Sequence, residues 1–176
     1  MFSLLESWVF GREFADRTLK DLLAVPVVRG NIILAKFLVV VLWSLLLTVI
    51  FVLVSLLLGA AIGLSQGTTE VFLYEAMTLA VAACLVIVDV FPFAFFASVG
   101  RGYLLPMGVV LLVFVPGNVL AVAGWGNYFP WVVPALYAGS TGKGNLEPAS
   151  YLLVLLTGLA GMVGTYLWWR CADQSR

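Results

Sequence analysis

The chain has no histidine, only two cysteines, and little charge: 9 basic and 9 acidic residues among 176, or 10% charged. Without imidazole it lacks the side chain most used near neutral pH as a general base and as a metal ligand. Cys84 lies in an apolar run and Cys171 in the polar tail, so no disulfide between them is expected and the pair defines no redox compartment. A net charge of zero gives no electrostatic reason to expect nucleic acid or an acidic partner. Soluble domains are about a quarter charged. Here apolar residues take that place, at 63% of the chain, in runs that only lipid tolerates as surface. Residues 1–10 are apolar but have no basic leader and no small-residue cleavage site, so they do not read as a signal peptide.

Catalytic constellations are also missing. No Ser/His/Asp set, paired-carboxylate site or metal cluster can be assembled, so no catalytic centre and no bound metal or cofactor is expected. Residues 139–144 read GSTGKG. A phosphate-binding loop needs glycine five residues before its Gly-Lys and Ser or Thr after the lysine. Tyr137 and Gly144 stand in those places. Any ATP chemistry would therefore belong to another subunit.

Four runs reach the roughly 20 apolar residues that a membrane-crossing helix needs: about 37–59, 76–99, 103–124 and 151–169. Lipid offers no hydrogen bonds to a backbone, so all four are expected as helices. The fold class is all-α, a single membrane domain over residues 1–176 built on four transmembrane helices. Residues 1–10, with Leu4, Leu5, Trp8, Val9 and Phe10, resemble the last turns of one more membrane helix. Two readings are open: an interfacial segment anchored by Trp8, or the stub of a span that begins outside this sequence. The second is favoured. Basic residues orient the bundle. Arg12, Arg17, Lys20, Arg29, Lys36, Arg101, Arg170 and Arg176 fall on one side and Lys143 alone on the other. The eight mark the cytoplasmic side, which places the C-terminus inside a multi-pass membrane protein.

Residues 12–25 predict a short amphipathic helix on that side. Phe14, Ala15, Thr18, Leu19, Leu22 and Leu23 share one face. Glu13–Arg17 and Asp16–Lys20 are spaced i, i+4 with the acid first. Pro26 ends or bends the helix near Val25. It is either a membrane anchor or a docking element. Three acids balance three bases here, whereas helices that bind lipid surfaces are usually net basic.

The run GREFADRTLKDLLAVPVVRGNIILAKF, residues 11–37, resembles the cytoplasmic segment of type-2 ABC transporter permeases of the bacterial multidrug, lantibiotic and antibiotic export kind. The matching residues are Gly11, Arg12, Glu13, Asp16, Arg17, Thr18, Leu22, Leu23, Pro26, Val27, Arg29 and Lys36. Residues 92–106 resemble that family's tight cytoplasmic hairpin, and residues 128–134 its extracellular loop before the last span. The resemblance implies a permease that pairs with a second permease subunit and binds cytoplasmic ABC ATPase subunits, which carry ATP and Mg. It implies that residues 12–23 form the coupling helix, with Glu13, Asp16, Arg17, Thr18 and Leu22 as ATPase contacts. The family usually has six spans. Four and a stub are legible here, so the first span and most of the second are expected to lie outside this sequence.

Within the spans, Asp89 is the one acid at depth in the sequence reading, at a cost of about 2.5–3.5 kcal/mol on insertion scales. It reads either as a contact of the translocation pathway together with Asn118, or as an interhelical hydrogen bond to Asn118 or Thr48. Pro92 should kink its helix. Pro116-Gly117-Asn118 should kink or break the third span. Gly158, Gly161 and Gly164, three apart, suit close helix approach, by default within the chain. Trp125, Tyr128, Trp131, Trp168 and Trp169 suit interfacial belts, and residues 128–137 an interfacial or partly re-entrant element. Two other functions remain open on residues alone: a gradient-driven transporter using Asp89, and a membrane scaffold that moves nothing.

Overall fold

The computed structural model describes residues 2–16, 29–63, 68–102, 104–139 and 146–171. Among them every regular element is helical: α1 (Phe2–Ala15), α2 (Arg29–Ala61), α3 (Thr69–Val90), α4 (Pro92–Val99), α5 (Leu104–Val122), α6 (Val133–Tyr137) and α7 (Pro148–Cys171), with 3-10 turns at Gly126–Tyr128 and Pro130–Val132. Among the described residues four stretches are long and apolar enough to cross a membrane: Arg29–Ala61, Glu70–Val99, Leu104–Val122 and Pro148–Cys171. The protein is an all-α membrane bundle. Three boundaries differ most from the sequence reading. Helix α3 begins at Thr69, ahead of residue 76. Helix α2 already begins at Arg29, ahead of residue 37, because nothing between Gly30 and Lys36 breaks a helix. Helix α1 continues through Gly11 to Ala15 instead of ending at residue 10, and the Asp16 amide still bonds the Arg12 carbonyl at 2.8 Å. The rest of the predicted amphipathic helix, residues 17–25, lies outside the described residues.

Proline chemistry divides the second span. Pro92 has no N–H to continue the ladder of α3, so α3 stops at Val90 and α4 restarts with Pro92 in its first turn. The Phe91 amide turns back to the Val88 carbonyl at 3.3 Å. Pro116 lies inside α5 without interrupting it. The third span is therefore kinked at most, not discontinuous.

Helix α7 receives the broken span on its glycines. A Cβ at Gly161 would lie 2.5 Å from the Pro92 Cα and N, and one at Gly164 would lie 3.3 Å from the Phe95 ring. Gly158 faces Val88 in the same way. The three glycines thus pack against α3 and α4 of the same chain, and the missing side chains let backbone meet backbone. Around this seam Phe10, Ile33, Phe37, Val40, Ala94, Ala97 and Trp169 form a buried core. The Phe37 ring lies 5.0 Å from that of Phe10 and 5.2 Å from that of Phe91.

Helices α4 and α5 join through a tight turn. Gly100 donates to the Phe96 carbonyl and Gly102 to the Ala97 carbonyl, while Arg101 takes a left-handed φ of 49°. Gly100 is needed for space, since a Cβ there would lie 2.6 Å from Leu105 Cβ. At its other end α5 closes in a Schellman motif. Gly124 adopts φ 81°, with Trp125 bonded to the Leu120 carbonyl and Gly124 to that of Ala121. The chain then folds back. Gly117 packs against Val132 and Phe129, and Gly126 against Leu136; Val132, Val133 and Leu136 are buried. The segment from Gly126 to Tyr137 is re-entrant in the sense that its chain folds back and packs against α5.

Candidate functional site

At the end of the bundle that carries Arg12, Arg29, Lys36 and Arg101, four helices meet around two side chains. Lys36 leaves the first turns of α2 and is nearly buried. Its Nζ donates to the Val9 carbonyl at 2.8 Å and stands 2.7 Å from Glu13 Oε2. That second contact is a close ion pair, off the angles of a good hydrogen bond. The Phe10 and Trp169 rings lie 5.3 and 5.6 Å from the ammonium. A carboxylate, a carbonyl and two ring faces together offset the cost of burying the cation.

Trp169, fully buried, extends the junction to α4 and α7. Its indole N–H donates to Ser98 Oγ at 2.9 Å, and Ser98 in turn donates to the Ala94 carbonyl at 2.8 Å. The Trp169 carbonyl accepts from Arg29 Nη1 at 3.3 Å. The two chain ends that flank residues 17–28 are thereby tied to each other through Glu13 and Lys36, and to α7 through Arg29 and Trp169. Beside the junction, Arg12 pairs with Asp16 at 3.1 Å, both side chains more than half exposed, and stacks on Trp8 at 5.0 Å. A groove of about 440 Å³ runs between α1 and α2 here, bordered by Trp8, Arg12, Glu13 and Lys36.

Of the predicted contact residues, Glu13 and Asp16 are described and stand at this end. Arg17, Thr18 and Leu22 lie outside the described residues, as does Lys20. Among the described residues Asp16 pairs with Arg12 and Glu13 with Lys36; the expected i, i+4 partners, Arg17 and Lys20, lie outside them.

A second polar region lies at mid-depth. Asp89 stands eleven residues before Gly100, roughly 16 Å along a helix of 1.5 Å rise, near the middle of a hydrocarbon core of about 30 Å. It is 3% exposed, and neither carboxylate oxygen has a hydrogen-bond partner among the described residues. The expected interhelical bond to Asn118 or Thr48 is not made. Asn118 donates to Phe114 and Thr48 to Ser44, each to the carbonyl four residues earlier in its own helix at 2.8 Å. That acceptor is always within reach of a helical side chain, and a neighbouring helix often is not. What reaches Asp89 is Trp131 of the re-entrant element, whose indole N–H donates to the Asp89 carbonyl at 2.9 Å. Trp131 and Asn118 both line an open pocket of about 110 Å³ between α5 and this element, together with Val113, Phe114, Gly117, Phe129 and Val132. Asp89 is not part of its wall, so the two pathway candidates do not share one pocket. Sequence reasoning missed Glu6. It is fully buried on α1 and, like Ser44 Oγ, has no partner among the described residues. Its one signal was a lone acid inside the apolar run of residues 1–10.

A helical bundle with four stretches long and apolar enough to cross a membrane among the described residues defines a multi-pass membrane protein. The chain belongs to the ABC-2 family transporter proteins, whose family model matches residues 1–117. It is 25% identical over 175 residues to the bacitracin transport permease protein BCRB of Bacillus licheniformis, covering 98% of this chain and 84% of that one. No solved structure matches the chain at a significant level.

Proposed function

We propose that the chain is the membrane-spanning permease subunit of an ATP-driven exporter in a prokaryotic cell membrane, working with a separate cytoplasmic ATPase and a second permease subunit. Membership of the ABC-2 transporter family over residues 1–117 carries this reading. In it the end with Arg12, Arg29 and Lys36 faces the cytoplasm, and ATP and Mg are held by the partner. Glu13, Asp16, Arg17, Thr18 and Leu22 form the surface offered to the ATPase. Asp16, more than half exposed, is the described residue best placed for such a contact. The relative's name makes a bacitracin-like peptide antibiotic the first substrate to try.

The test is capture of cytoplasmic ATPase subunits by the detergent-solubilised chain, with Asp16→Lys and Arg17→Glu beside it. Specific capture that both reversals abolish is the expected result. Absence of capture by the native chain, with any upstream sequence restored, moves the reading to a gradient-driven transporter. The buried carboxylate of Asp89, without a partner among the described residues, favours that second reading. It requires transport without an ATPase, and loss of coupling in Asp89→Asn.

A further inference from the structure

We propose that Lys36 is the positioning residue through which movement of the segment between α1 and α2 reaches α7. The inference rests on the ATP-driven reading, because it supplies the route by which an ATPase stroke would enter the bundle. Residues 17–28 connect Asp16 to Arg29, so a push on them arrives at the last turn of α1 and the first turn of α2. The last turn of α1 reaches Lys36, in the second turn of α2, through Glu13, and the first turn of α2 reaches Trp169 through Arg29. Glu13 holds Lys36 from α1 at 2.7 Å, and the Val9 carbonyl holds it again at 2.8 Å. Lys36 lies 5.6 Å from the Trp169 ring, and Arg29 grips the Trp169 carbonyl. Trp169 bonds Ser98, which carries the connection into α4, the half-helix beyond the Pro92 break.

The arrangement suits transmission for a physical reason. A buried ammonium cannot give up its carboxylate, its carbonyl or its ring faces one at a time without leaving an uncompensated charge in an apolar setting. The helices that hold these groups must therefore move together or exchange partners as a set. An apolar contact of equal size would let them slide. Lys36 touches no substrate and acts through Glu13 and Trp169, so its loss should separate ATP hydrolysis from helix movement and leave the hydrolysis itself in place.

Cys171, exposed at the end of α7 two residues beyond Trp169, gives a direct readout. In a Cys84→Ser background, Cys171 would be labelled with an environment-sensitive maleimide dye, and the chain reconstituted with its ATPase in liposomes. Dye fluorescence and phosphate release would be followed on adding Mg-ATP. The native chain should show an ATP-dependent fluorescence change. In Lys36→Met that change should fall about tenfold while hydrolysis stays within about twofold. Lys36→Arg, which keeps the cation, should retain both signals. Trp169→Phe, which loses the bond to Ser98, should weaken the fluorescence change alone. An unchanged signal in Lys36→Met overturns the proposal, as does a parallel loss of signal and hydrolysis with a lowered unfolding temperature, which marks a merely structural lysine. A native chain that hydrolyses ATP with its partner and shows no signal also overturns it. Failure of the native chain to engage an ATPase overturns the parent reading first, and shows as an absence of hydrolysis in every arm.

Discussion

The indole of Trp131 stands in for a backbone donor at the point where Pro92 interrupts a membrane helix. With the ladder broken, the Asp89 carbonyl needs a partner that lipid cannot supply, and Trp131 supplies it from forty-two residues away. Trp131→Phe keeps most of the ring volume and deletes the N–H. It should destabilise the bundle by about 1–3 kcal/mol, the cost of a buried acceptor left unpaired, read as a lower midpoint of thermal unfolding in detergent. The Asp89 side chain predicts the opposite. Its carboxylate makes no hydrogen bond among the described residues, so Asp89→Asn gives up nothing visible there and removes a group that is costly to charge in lipid. The unfolding midpoint should hold or rise. A fall of more than about 1 kcal/mol would mean that the carboxylate has a polar partner in the working protein.

Between helices the seam of α7 with the broken span sets the geometry. At Gly161 an added Cβ would meet the Pro92 backbone, which cannot rotate out of the way as a side chain could. Gly161→Leu should therefore cost at least the roughly 1–3 kcal/mol of overpacking, and should push α7 away from α4. Gly59 of α2 has nothing within 4 Å of the same virtual atom, so Gly59→Ala should be neutral or stabilising. The two unfolding midpoints, compared in one detergent, check both statements. This seam also marks how much the sequence disclosed. Glycines three apart announce that something comes close, because the spacing puts them on one helix face. They do not say what comes close, and Pro92 as the partner is a tertiary fact. Apolar runs announced the spans for the same local reason. The Lys36 junction was illegible because Glu13 and Trp169 are brought to Lys36 only by packing, from 23 residues before it and 133 after it. Lys36 itself read as one more basic residue ahead of a span and as the lysine that ends the family-like run, with no partner indicated. Asp89 was singled out correctly as a polar intruder. Its bond to Asn118 or Thr48 was wrong because both donors have a nearer acceptor in their own helix.

On the scale of the whole molecule, the charge asymmetry of the sequence and the packing of the bundle agree. The bond from Arg29 to the Trp169 carbonyl sets the start of α2 beside the end of α7. The bond from Trp169 to Ser98 sets the α4–α5 turn at the same end. Arg12, Arg29, Lys36, Arg101 and Arg170 therefore gather at one end of the bundle, and Lys143 belongs to the connection between α6 and α7. Translocation of a basic cluster is what the positive-inside bias disfavours, so the end with the cluster should stay in the cytoplasm and residue 141 should be outside. In a Cys84→Ser, Thr141→Cys chain expressed in whole cells, a membrane-impermeant maleimide should label residue 141 at once and Cys171 only after permeabilisation. The reverse order would put the basic end outside. The segment proposed to meet an ATPase would then lie where no ATP is available, and the exporter reading would fall together with the role given to Lys36. The expected order makes residues 12–28 a cytoplasmic surface, so that a charge reversal at Asp16 or Arg17 tests contact with the ATPase itself.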